Sequence, residues 1–151
     1  MGTRGYVGRP DATDPTLLHL RYVHSDAVPE YMAPTLVAIQ QVTFAGDTTA
    51  TVTALLSCVW AYLGADVTAS NAFPAGDTPV PGVGMAIHAA PADPPITVPT
   101  HRIGELSGQW IYLLDPQTNT LTVLSTDDPA NPAATYTFTE PSTTAATGGQ
   151  Q

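Results

Sequence analysis

Apolar positions along the chain form short alternating runs towards both ends and longer, helix-spaced stretches between them. Residues 3–8 (TRGYVG) read as a short strand. From Leu17 to His24 (LLHLRYVH) the alternation is strict. Leu18, Leu20, Tyr22 and His24 share one face, and Leu17, His19, Arg21 and Val23 share the other. Two prolines and two aspartates between Arg9 and Pro15 make a turn, so the two runs predict a β-hairpin.

Ser25–Pro29 (SDAVP) reads as a strand-to-helix connection. A helical period follows over 30–45, with Met32, Leu36, Ile39 and Thr43 on one stripe and Pro34 near the start, where proline is best tolerated. Gly46 ends it, and Asp47 is a good N-cap for a second helix. Over 48–63, Val52, Leu55, Leu56, Val59, Trp60 and Leu63 recur at helical spacing, and Gly64 supplies a stop. This is the strongest helical signal in the chain.

Residues 65–82 are rich in Pro, Gly and Asp and predict a long loop. Val83–Ala90 predicts a strand carrying His88. Four prolines in Pro91–Pro99 exclude a central strand throughout that stretch. Gln109–Ser125 predicts a hairpin: WIYLL is apolar on both faces and so central, Asp115–Asn119 is the turn, and Leu121–Leu124 returns. Tyr136 and Phe138 alternate with threonines, as in a half-buried edge strand. From Glu140 no apolar side chain exceeds Ala, which predicts a disordered tail over 140–151 behind a single domain at 1–139. There are no internal repeats. Segregated strands and helices predict an α+β fold: an antiparallel sheet of five to six strands with two helices packed on one face.

The charge narrows the partners. The 151 residues hold 13 acidic residues, four arginines (Arg4, Arg9, Arg21, Arg102) and no lysine, for a formal net charge of −9. Gripping nucleic-acid phosphates needs clustered Lys and Arg, and four scattered arginines do not supply that. An anionic membrane surface is disfavoured for the same reason. A basic protein partner stays open, as does DNA mimicry, although these carboxylates are spread rather than dense. The single cysteine, Cys58, excludes an internal disulfide and any multi-cysteine zinc site, and its place beside the apolar stripe suits a buried, inert thiol. The N-terminal residues have no apolar secretory core and no run reaches a membrane span, so a cytoplasmic protein is expected.

Candidate chemistry centres on His24–Ser25–Asp26, at the end of a strand and just before a helix. Tyr22, His24 and Asp26 share parity, and an imidazole beside a carboxylate can act as a base or orient a ligand. Equally, Asp26 could cap the next helix and His24 pack locally. A metal site from His24 and Asp26 with His88 or His101 lacks a supporting spacing, and no cofactor is expected. Nucleophile-elbow and phosphate-loop motifs are absent. Gly82-Val83-Gly84 suits a turn, His19 reads as a plain strand residue, and Trp110, Tyr112 and Tyr136 are either core or an aromatic platform.

The runs MGTRGYVG, RYVHSDAVPEYMAPTL and ALLSCVWAYLG resemble, over residues 1–64, a group of uncharacterised bacterial and phage proteins. These open with Met-Gly-Thr-Arg and carry a strand ending in a His-x-Asp-Gly-Tyr-Pro-like motif before a helix. The segment GQWIYLLDPQTNTLTV resembles a hairpin in its actinobacterial-type members. Arg4, His24, Asp26 and Pro29 match the pattern, and Ala27 and Val28 depart from its Gly and Tyr. The resemblance implies an accessory role, such as modulating host defence or replication. The expected function is then a non-enzymatic binding module that takes a small anionic ligand or a protein partner at Arg4, Tyr22, His24 and Asp26. A hydrolase using His24 and Asp26, and an oligomerising protein pairing through the 134–139 edge as a homodimer, are the alternatives.

Overall fold

The computed structural model describes residues 3–70, 77–89 and 93–138, without the side chains of 88 and 89. The predicted tail at 140–151 lies outside the described residues.

The N-terminal hairpin forms as its alternation requires. β1 (Gly5–Pro10) pairs antiparallel with β2 (Leu17–Val23), from Gly5 opposite Val23 to Pro10 opposite Leu18. The two backbones press together at Gly8, where a Cβ would stand 1.8 Å from the carbonyl oxygen of His19. No side chain fits there.

α1 (Pro29–Ala38) opens on a proline, whose missing N–H costs nothing at that position. It continues as a π-helical turn (Ile39–Thr43) and stops where Ala45 and Gly46 take φ of 52° and 88°. Buried Gln40 holds this corner: its amide donates to the carbonyl of Gly46 at 3.0 Å and to Thr48 Oγ1 at 3.1 Å. Asp47 then caps α2 (Thr48–Leu56), its Oδ1 accepting from the Ala50 N–H at 3.0 Å.

The predicted helix over 48–63 is corrected here. It ends at Leu56, and Cys58–Leu63 is a strand, β3. Both periods fit the same residues. Val52 and Leu55 are buried on the helix. Cys58 and Trp60 are buried two apart on the strand, and register shifts after Val59 and Trp60 bring Leu63 inward. The β-branched and aromatic run VWAY favours a pleated, half-buried surface, and burial of Trp60 decides the matter. Trp60 is fully buried and its indole N–H donates to the Leu55 carbonyl at 2.9 Å.

The remaining strands are β4 (Thr78–Val80), β5 (Gly84–Ala89), β6 (Ile96–Pro99), β7 (Trp110–Asp115), β8 (Thr120–Ser125) and β9 (Ala134–Thr137); a 3-10 turn spans Thr100–Glu105. The predicted loop at 65–82 thus contains β4. The fold is α+β, but its sheet has nine strands rather than five or six. Eight follow the order β4-β5-β3-β2-β1-β7-β8-β9, and β6 pairs with β2. Nor is it purely antiparallel. β1 runs parallel to β7, and β2 runs parallel to β3. The second pairing has a local cause: the two helices form the crossover that parallel neighbours need. With β3 read as helix, that crossover was invisible in the sequence.

The helices bury one side of the sheet. Met32, Leu36, Ile39, Val52 and Leu55 share a cluster with Val7, Val23, Trp60, Tyr112, Leu121 and Val123. On the other side a smaller cluster joins Tyr6, Leu18, Leu20, Ile111 and Leu113 to Val98 of β6 and Ile103 of the 3-10 turn. No helix among the described residues is long and apolar enough to cross a membrane.

Overpacking of this kind usually costs about 1–3 kcal/mol, and a clash with rigid backbone lies at or beyond the top of that range. Gly8→Ala should therefore cost about 3 kcal/mol or more in urea unfolding; an unchanged midpoint would contradict the pairing of β1 with β2.

Candidate functional site

β2 has one edge for β1 and one edge that two other strands share. β6 takes the first half of the shared edge, with Leu17–Leu20 opposite Pro99–Ile96. β3 takes the far end, with Val23 opposite Trp60. Between them the sheet forks, and Arg21 stands at the fork. Its Nε donates to the Leu56 carbonyl at 2.8 Å, just before β3, and its Nη2 donates to the Asp93 carbonyl at 2.9 Å, just before β6.

Arg21 is only 8% exposed. Among the described residues neither ion pair involves it; these are His19–Asp11 and Arg102–Glu105. A buried guanidinium bonded only to neutral carbonyls is costly, because desolvation removes several kcal/mol of hydration that only an opposite charge fully returns. The Leu56 carbonyl, at the C-terminus of α2, offsets part of this through the helix dipole.

A cleft of about 270 Å³ opens at the fork, lined by Tyr6, Leu20, Arg21, Tyr22, Val59 and Ile96. Ile96 is 44% exposed on its rim. The cross-strand pair Tyr6–Tyr22 meets edge to face at 5.8 Å, and the Tyr22 and His24 rings lie 6.0 Å apart. Tyr6 Oη is 3.1 Å from Ser107 Oγ, and Tyr22 Oη is 3.1 Å from His24 Nδ1. These bonds hold an aromatic row Tyr6–Tyr22–His24 on the face away from the helices.

The sequence-predicted residues are placed unevenly. Tyr22 lines the cleft, and His24, exposed, joins it through its hydrogen bond. Arg4 is exposed; the β1–β2 register continued by one residue sets it opposite His24, and its carbonyl accepts from the Gln109 N–H at 2.9 Å. Asp26 departs from the row. Its φ of 62° breaks the extended geometry on which shared parity depends, and it bonds neither His24 nor the helix start. The N-cap of α1 is Val28, without a side-chain cap. The turn itself is anchored at Ala27, whose N–H donates to the Thr3 carbonyl at 3.0 Å and whose carbonyl accepts from buried Tyr112 Oη at 2.5 Å. Burial, and then the charge of Glu30, push the Tyr112 phenol well above its ordinary pKa. Tyr112 is thus core rather than platform, while Tyr136 is 41% exposed.

Sequence reasoning passed over two features. Arg21 shares a strand face with apolar neighbours and carries no motif. His19, read as a plain strand residue, bonds on both ring nitrogens: Nε2 to Asp11 Oδ1 at 2.7 Å and Nδ1 to Thr97 Oγ1 at 3.1 Å. Asp11 also accepts from the Thr13 N–H, the Thr13 hydroxyl and the Asp14 N–H. The bond to His19 first, and then those from Thr13, hold its carboxyl far below the ordinary value of 3.8. Among the described residues no group of three or more His, Cys, Asp or Glu side chains could hold a metal ion; His101 sits on the 3-10 turn, and the side chain of His88 is not described.

Family models, curated proteins and solved structures contain no match to this chain.

Tyr112→Phe strips the Ala27 carbonyl of its donor and should cost about 1–3 kcal/mol in thermal unfolding; an unchanged Tm would show that this bond does not anchor the turn. The Asp11 carboxyl is depressed, so its stabilising contribution is present above 3.8 and is lost as pH falls through the lower folded value. In a melting series below about pH 4, Asp11→Asn should flatten part of the acid limb of the wild-type curve. Parallel limbs would show that the carboxylate contributes nothing there.

Proposed function

We propose that this protein is a small binding module that takes an anion-bearing molecule in the cleft at the fork of its sheet. The observation that carries this is Arg21: a residue more than nine-tenths buried, lacking an acidic partner among the described residues, that lines an otherwise apolar and aromatic cleft. An incoming carboxylate or phosphate supplies the missing charge. Tyr6, Tyr22 and Leu20 supply a surface for an apolar or planar body. His24 stands beside Tyr22 and can respond through their shared hydrogen bond.

The size supports a small ligand, since about 270 Å³ lies just below the range of drug-sized sites. The overall charge of −9 repels anions at long range. Affinity must therefore come from local contact with Arg21 and from burial of the ligand's apolar part. The accessory role that the resemblance implies rests on Arg4, His24, Asp26 and Pro29 alone, and a sensor of a small anionic ligand is compatible with it.

The test is a thermal-shift and calorimetric comparison of benzoate and phenyl phosphate with benzyl alcohol, a neutral molecule of the same shape. The anions should raise Tm and benzyl alcohol should not. Arg21→Met should weaken anion binding about 10- to 100-fold, as loss of a charged hydrogen bond does. Equal binding by Arg21→Met, or no preference for the anions over benzyl alcohol, would remove Arg21 as the determinant.

A further inference from the structure

A second group of side chains, separate from the fork cleft, has the arrangement of a nucleophile with its base. His19 on β2 and Thr97 on β6 are cross-strand partners, and Asp11 comes from the turn that follows β1. An ionised carboxylate only accepts hydrogen bonds, so the 2.7 Å contact with Asp11 places a proton on His19 Nε2. In the neutral ring Nδ1 is then the bare nitrogen, and it lies 3.1 Å from the Thr97 hydroxyl. Asp11 is ionised at neutral pH and so remains an acceptor for the Nε2 proton.

Burial is graded along the three residues. The His19 and Asp11 side chains are 30% and 27% exposed, whereas Thr97 is exposed. Thr97 also lines a cleft of about 260 Å³ between β6 and the 3-10 turn, together with Val98, Pro99, Arg102, Glu105 and Leu106. Among the described residues Arg102 is the only cation on that wall, and it is steadied there by Glu105, whose Oε1 lies 3.0 Å from Nη2.

We propose that Thr97 is an acyl-accepting nucleophile for small esters, with His19 as its general base and Asp11 as the residue that orients the imidazole. Hydroxyl, imidazole and carboxylate follow the order of an acyl-transfer triad, with the two ring nitrogens exchanging the roles they take in serine proteases. Such a constellation is recognised by geometry and not by local sequence, which is why residues 11, 19 and 97 show no motif.

Thr97 Oγ attacks the ester carbonyl carbon while its proton passes to His19 Nδ1. Arg102, which lines the same cleft, is the cationic donor within it for the developing oxyanion. Collapse of the tetrahedral adduct breaks the bond to the leaving alkoxide, which takes the proton from His19 and departs as the alcohol. Water, deprotonated by the same imidazole, then releases the acid and restores the threonine. No oxidant or metal is required, and water is the only other reactant.

The experiment is incubation of the full chain with p-nitrophenyl acetate, followed by peptide mapping and by release of nitrophenol. An acetyl group on Thr97 is expected in the wild type and in Thr97→Ser, and none at position 97 in Thr97→Val. His19→Gln should slow acylation about 100-fold or more, the usual worth of a positioned base, and Asp11→Asn should slow it as well. Acylation kept in Thr97→Ser and lost in Thr97→Val is a rescue by the conservative hydroxyl that a purely structural bond would not create. Circular dichroism of each variant separates loss of chemistry from loss of fold. Absence of acetyl on Thr97, or an acylation rate unchanged in folded His19→Gln, overturns the proposal. A lower Tm in His19→Gln beside a wild type that is never acylated would mark the three residues as a clasp on β6 and overturn it equally.

Discussion

Everything in this molecule depends on how β2 divides its outer edge. One half hydrogen-bonds to β6 and the far end to β3, and the two partners leave in different directions. A gap in a sheet exposes backbone carbonyls that need donors, and a buried carbonyl without one costs as much as a lost hydrogen bond. Arg21 closes the gap by reaching the last carbonyl of α2 and the Asp93 carbonyl ahead of β6. Lysine, with a single compact head, is a poorer bridge between two separate acceptors than the planar fork of arginine. The bond that completes the fold thus buries a charge, and the buried charge is what makes the neighbouring cleft chemically distinctive.

The two clefts differ because their polar groups are held differently. At the fork the aromatic row is pinned at both ends by hydrogen bonds, Tyr6 to Ser107 and Tyr22 to His24. Among the described residues the single formal charge on that wall is Arg21. At β6 Thr97 is exposed, with the His19 imidazole partly shielded beside it and the Asp11 carboxylate bonded to the far ring nitrogen. β6 contributes to both, through Ile96 at the fork and Thr97 at the second cleft. Its attachment to β2 therefore sets the shape of each.

Both halves of the chain share one physical limit on side-chain size. The β1 backbone passes so close to its neighbours that Gly5 faces Trp110 and Ala27, and Gly8 faces His19. This tightness places Thr3 against Ala27 and brings the N-terminal strand under the turn that carries His24. Tyr112 then locks the same turn from the central strand β7. Three segments distant in sequence meet at one short turn, and its geometry is set by the core rather than by its own residues.

The sequence by itself determined the local elements. Alternation from Leu17 to His24, the Asp115–Asn119 turn, the Asp47 cap and the edge character of the Tyr136 strand are all local signals, and each corresponds to an element found. It also placed Tyr22 and His24 on one face, since parity survives as long as a strand stays extended. Parity failed at Asp26 because one residue with positive φ redirects the chain. Tertiary structure alone decided the rest. Cys58–Leu63 satisfies a helical stripe and a bulged strand equally well, and only burial of Trp60 beside β2 selects the strand. The parallel pairings, the fork and both clefts join residues far apart in the chain, such as Arg21 with Asp93 and His19 with Thr97. Hydrophobic period carries no information about which strands become neighbours, so the pairs that build both clefts emerge only when the sheet closes around them.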